Sequence, residues 1–151
     1  MKFHLLIDEL HRSEDELGRA LLTMADRHRN DHETFHVARD LAAWSFDHLR
    51  ALGLAGREFG LDLTPSDGPA PLTRDWLGHR EPSVLLLADF RYLYRLAAGV
   101  SADWELLAQA AQGARRADLL SLAERCHPQT LRQLRWANAR LKDSATQALV
   151  S

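Results

Sequence analysis

Four segments of this chain repeat apolar residues at helical spacing, and a stretch rich in Gly and Pro parts them two and two. In the first, Phe3, Leu6, Ile7, Leu10, Leu17, Ala20, Leu21, Met24 and Ala25 fall on one stripe. In the second the stripe runs through Phe35, Ala38, Leu41, Ala42, Ser45, Leu49 and Leu52. The third passes through Leu86, Asp89, Phe90, Leu93, Leu96, Ala97, Val100, Asp103, Leu107, Ala110 and Ala111. The fourth takes in Leu119, Leu120, Ala123, Leu131, Leu134, Ala137 and Leu141. No segment alternates convincingly with the two-residue period of a half-buried strand. The pattern predicts an all-α fold, one helical bundle domain over 1–151: helix A about 3–29, B 31–52, a crossover 53–82, C 83–112 and D 115–143.

Punctuation supports these boundaries. Asn30 and Asp31 form the A–B turn, with Asp31 as N-cap of B. Gly53 ends B, Pro82 suits the first turn of C, and Gly113 ends C. Ser13 and Glu16 match a capping box, so A starts at 3 or at 13. Gly99 leaves two readings of C, one long helix or a break. Pro128 should kink or divide D. Residues 53–82 hold five Gly and four Pro, including the tip "TPSDGPAP". So long a connection suits a crossover running the length of a bundle.

Composition narrows the class. Of 151 residues, 46% are hydrophobic and 26% charged, as in ordinary soluble globular chains. A formal charge of −2 argues against obligatory nucleic-acid binding. The charge is uneven: residues 115–142 hold seven Lys/Arg against two acids. That suggests a dipolar surface or self-association between opposite faces, and the expected partner is a second copy in a homo-oligomer. Cys126 is the only cysteine, which fits a reducing, cytoplasmic location. The N-terminal residues form no signal-peptide apolar region, and no apolar run is long enough to span a membrane.

Four helices, two short turns and one long B–C connection resemble the ferritin-like superfamily. Its di-iron members place a Glu on the first helix, Glu-x-x-His on the second, an acid on the third and Glu-x-x-His on the fourth. Hard carboxylates bridge the metals and imidazoles complete each shell. In this chain Glu14 matches the first position, and Ser45-x-x-His48 the second, with Ser where the Glu would be. Asp103, with Asp89 in reserve, matches the third, and Glu124-x-x-His127 the fourth. The resemblance implies a depleted site for iron or another divalent metal, with a di-iron oxidase disfavoured by the missing bridging Glu.

Other signals point elsewhere. His28, His32 and His36 stand four apart, but stacking all three needs one helix from about 3 to 52, roughly 75 Å long. A turn at Asn30–Asp31 is the better reading, with Glu33 and His36 facing outward. His4, Asp8 and His11 share a face that reads as solvated. Cys126 and His127, being helix neighbours, point about 100° apart and make a poor nucleophile–base pair. On helix D, Arg125, Arg132, Trp136 and Arg140 fall on one outward ridge. That ridge could grip an acidic protein or nucleic acid, or cover another part of the fold. A metal-free helical interaction protein is therefore the alternative to a metal-binding one. The expectation is of no Gly-rich phosphate loop, Gly-x-Ser-x-Gly elbow, cysteine pair or His-Glu-x-x-His zinc motif.

Overall fold

A computed structural model describes residues 1–68, 72 and 81–150. Four α-helices account for most of them: α1 Phe3–Arg27, α2 His32–Gly56, α3 Pro82–Gly113 and α4 Ala117–Leu149. The expected crossover residues 69–71 and 73–80, with Pro69, Pro71 and Gly78, lie outside the described residues.

Each helix buries a seam spaced alternately by three and four residues, the pattern of packed parallel or antiparallel helices. On α1 it is Phe3, Ile7, Leu10, Glu14, Leu17, Leu21 and Met24. On α3 it is Phe90, Leu93, Ala97, Val100, Trp104, Leu107 and Ala111. On α2 and α4 polar groups share the seam: Thr34, Ser45 and His48, then Cys126, Thr130, Gln133 and Ser144.

Cross-helix bonds fix the directions. Glu14 meets His48, and His28 meets Asp89, so α1 is antiparallel to both α2 and α3. Gln133 reaches Leu41, Arg140 reaches Asp31, and Ser101 reaches His127, so α4 is antiparallel to α2 and α3. Helices α2 and α3 therefore run the same way, and the chain must return along the bundle between them. As far as Gly68 it does so beside α1. Phe59 packs on Phe3, the Ser66 amide donates to Asp15, and Arg19 donates to the Gly68 carbonyl.

Local chemistry explains the ends. Asp31 accepts from the Thr34 amide at 3.0 Å and caps α2 as expected. Helix α2 outlasts Gly53 by a turn, continues in a 3-10 turn over Arg57–Phe59, and stops at Gly60, whose φ of +76° suits glycine. At Gly56 a Cβ would lie 3.1 Å from Leu63, so the absence of a side chain lets the crossover close on α2. Ser13 does not start α1. Its hydroxyl donates to Leu10 O and to Asp103, inside a continuous helix. Helix α3 runs unbroken through Gly99. Pro128 does not divide α4; it sits on the exposed side, where water can satisfy the carbonyl it leaves unpaired. The α3–α4 turn is closed by Arg115 at φ +56° rather than by Gly113, with the Arg116 amide on Ala111 O at 2.8 Å.

Candidate polar centre

The middle of the bundle holds one buried carboxylate and one buried imidazole. Glu14 comes from the α1 seam and is fully buried; His48 comes from the α2 seam. Glu14 Oε2 lies 2.5 Å from His48 Nδ1 and accepts a second bond from Trp104 Nε1 at 3.0 Å. His48 Nε2 lies 2.7 Å from the Gln129 amide oxygen. The Trp104 indole stands edge-on to the imidazole, with centroids 5.8 Å apart. Next to this layer, Gln133 donates to Ser45 Oγ at 2.9 Å and to the Leu41 carbonyl at 2.8 Å. Three atoms matter for what could enter. Both ring nitrogens of His48 are spent, and Glu14 Oε1 is buried without a partner among the described residues.

Of the six expected metal ligands, only Glu14 and His48 meet. Asp89 lies near the α1 C-terminus, 2.5 Å from His28 Nε2 and 3.4 Å from Arg27 Nε. Asp103 accepts from Ser13 on the flank of α3, at 3.0 Å. Burial raises its pKa above the ordinary 3.8, the Ser13 bond works the other way, and Glu9 adds to the rise. His127 shares a bond with Ser101 at 2.8 Å, and Glu124 faces solvent. Among the described residues no three His, Cys, Asp or Glu side chains converge as a metal would need. Two irons do not fit this donor set. Ser45 stands for the bridging Glu, Trp104 occupies the inward position of α3, and α4 offers Cys126, Gln129 and Gln133. The Cys126 thiol is buried, and that burial pushes its pKa up to about 11 despite Arg125 beside it.

The basic ridge is largely committed within the chain. Trp136 is half-buried, its ring edge-on to Phe90 at 5.2 Å, so it is no outward anchor. Arg140 ties α4 to the α1–α2 turn, bonding Asp31 at 2.9 Å and Glu33 at 3.0 Å. Arg132 and Arg125 remain exposed, the former over the Trp44 ring at 6.0 Å.

Residues 32–36, His-Glu-Thr-Phe-His, spell a full His-Glu-x-x-His, which corrects the expectation that the chain holds none. On that spacing two imidazoles hold zinc and the glutamate acts as base. Here the two exposed rings stack with centroids 5.8 Å apart, Glu33 is held by Arg140, and His28 is turned to Asp89. Among the described residues the motif thus lacks a third ligand, and its glutamate is not a free base.

No protein-family model, curated protein or solved structure matches this chain.

Proposed function

We propose that the chain has ferritin-like connectivity, and that its carboxylate–histidine centre is reduced to one hydrogen-bonded pair. On this reading the bundle is a binding protein rather than a di-iron oxidase. The long return beside α1 and the common direction of α2 and α3 support the connectivity. The observation that carries the reduced centre is the saturation of His48, with Nδ1 on Glu14 and Nε2 on Gln129. A metal would have to break one of those bonds and would find one carboxylate. Binding would use the exposed arginines of α4, Arg125 and Arg132, set against the acidic remainder of the chain.

Two measurements test this reading. Protein purified without an affinity tag should carry no stoichiometric iron, manganese or zinc. Light scattering at low salt should show self-association that falls in high salt and in Arg125→Glu/Arg132→Glu. Stoichiometric metal lost on His48→Ala would overturn the first part. Unchanged mass in every condition would overturn the second.

A second reading has its own observation. Glu14 Oε1 is buried and unpartnered. A bare carboxylate oxygen in a core is costly, and one cation seated there would relieve it. Metal stoichiometry of one, lost in Glu14→Gln, would favour this reading.

A further inference from the structure

A groove of the described surface lies between α2 and the returning crossover, and neither Glu14 nor His48 lines it. It encloses about 590 Å³, within the range of small-molecule sites. Its floor and walls are apolar: Phe46, Leu49 and Leu54 from the helices, Leu61, Leu63 and Pro65 from the crossover. Leu54 is 62% exposed, a large apolar side chain left at the rim. Gly53 lies in the floor, where an added Cβ would meet nothing within 4 Å. A side chain at position 53 would therefore enter open space in the groove.

The charged rim is not neutral in effect. Arg50 on α2 and Arg57, the helical C-cap that opens the following 3-10 turn, stand seven residues apart, so they share a face about 10 Å apart along the axis. Arg57 has no ion pair among the described residues, and Arg50 pairs only with exposed Asp47. Such exposed pairs hold little and yield readily to a better acceptor. Asp62 is the single acid lining the groove among the described residues. His11 is buried beneath it, and burial lowers its pKa against the pull of Asp15 and Asp8. Two guanidinium groups above an apolar trough make a complementary setting for an anionic head on an apolar tail.

We propose that this groove binds a single-chain anionic amphiphile of medium length, with its tail along Phe46, Leu49, Leu61 and Leu63 and its head on Arg57 and Arg50. A medium-chain carboxylate is the simplest member of that class. The planar guanidinium fork matches a carboxylate in two parallel bonds.

Sodium decanoate, kept below its micelle concentration, is the probe for calorimetric titration, with decanol and decyltrimethylammonium as neutral and cationic counterparts. Saturable one-to-one binding of decanoate is expected, at least about ten-fold tighter than decanol, with no binding of the cation. Arg57→Gln, an exposed change, should abolish the preference for decanoate over decanol. Gly53→Leu should abolish binding of both while retaining its helical circular dichroism. Equal binding of all three probes would overturn the proposal, as would wild-type affinity in either variant. A dimer that Gly53→Leu dissociates, with no decanoate binding, would overturn it in favour of a second copy in the groove.

Discussion

Glu14 on α1 and His48 on α2 are joined at 2.5 Å in the centre of the bundle, and Trp104 of α3 seals the same carboxylate oxygen. Three helices thus meet at one oxygen, and Gln129 brings in the fourth through the imidazole. Removing either partner strands the other in the core. His48→Ala and Glu14→Ala should each lower unfolding free energy by about 3 kcal/mol or more. The double variant should lose less than the sum of the two. Urea denaturation of the four proteins checks this, and strict additivity would mean that the pair is not coupled.

Gly18 and Gly99 should respond in opposite directions. A Cβ on Gly18 would lie 3.1 Å from the Phe46 ring and 3.2 Å from Ser45 Cβ, where α1 packs on α2. Gly18→Val should cost roughly 1–3 kcal/mol through overpacking. At Gly99 a Cβ meets nothing within 4 Å, in mid-helix. Gly99→Ala should gain roughly 0.5–1 kcal/mol. Thermal melts that move both ways as stated would support the packing; a stabilised Gly18→Val would contradict it.

Asp103 gives a pH signature. Burial raises its pKa above 3.8 in the folded chain, although the bond from Ser13 opposes this and Glu9 adds to it. The folded state then binds the proton more tightly than the unfolded state. Its contribution favours folding below the ordinary value and is lost as pH rises through the raised one. Asp103→Asn keeps an acceptor for Ser13 and removes the ionisation. It should melt higher than wild type at neutral pH, with the gap closing as pH falls through the raised pKa and gone below 3.8. A gap that widens on acidification would reverse the assigned sign.

Cys126 should be inert in the native protein. It is 2% exposed, and burial holds its thiol up at about 11, with Arg125 pulling weakly against that. A disulfide exchange reagent at neutral pH should modify it only at the rate of unfolding, and fully in denaturant. Rapid native labelling would show an open path to the α4 seam.

The helical class and most boundaries were legible because the apolar stripes and turn residues are strong local signals. The register of α3 and α4 was not. Asp103 was assigned to the stripe, yet Trp104 continues the spacing of Leu93, Ala97, Val100, Leu107 and Ala111 and takes the core. On α4 the leucines mislead. Leu131, Leu134 and Leu141 are half-buried, while Cys126, Thr130, Gln133 and Ser144 lie inside. Buried polar side chains carry no apolar signal, so the seam could not be phased from hydrophobicity. One position of error there turned Glu124 outward and put His127 beside Ser101. The site was half legible for the same reason. Glu14 and His48 sit on seams dense in apolar residues, whereas Gln129 and Gln133 do not announce themselves. The His-Glu-x-x-His of residues 32–36 is readable by spacing alone, so the expectation that the chain holds no such motif is wrong; its exposed setting shows why spacing needs context.

The central claim, that the Glu14–His48 pair is closed by hydrogen bonds and is not a di-iron centre, is tested most directly by anaerobic titration with Fe(II). Calorimetry and metal analysis after desalting should be compared between wild type and His48→Ala. The account predicts no saturable uptake in either protein and no oxygen-dependent absorbance on exposure to air. Retention of two irons per chain by wild type, lost in His48→Ala while its helical content persists, would contradict it.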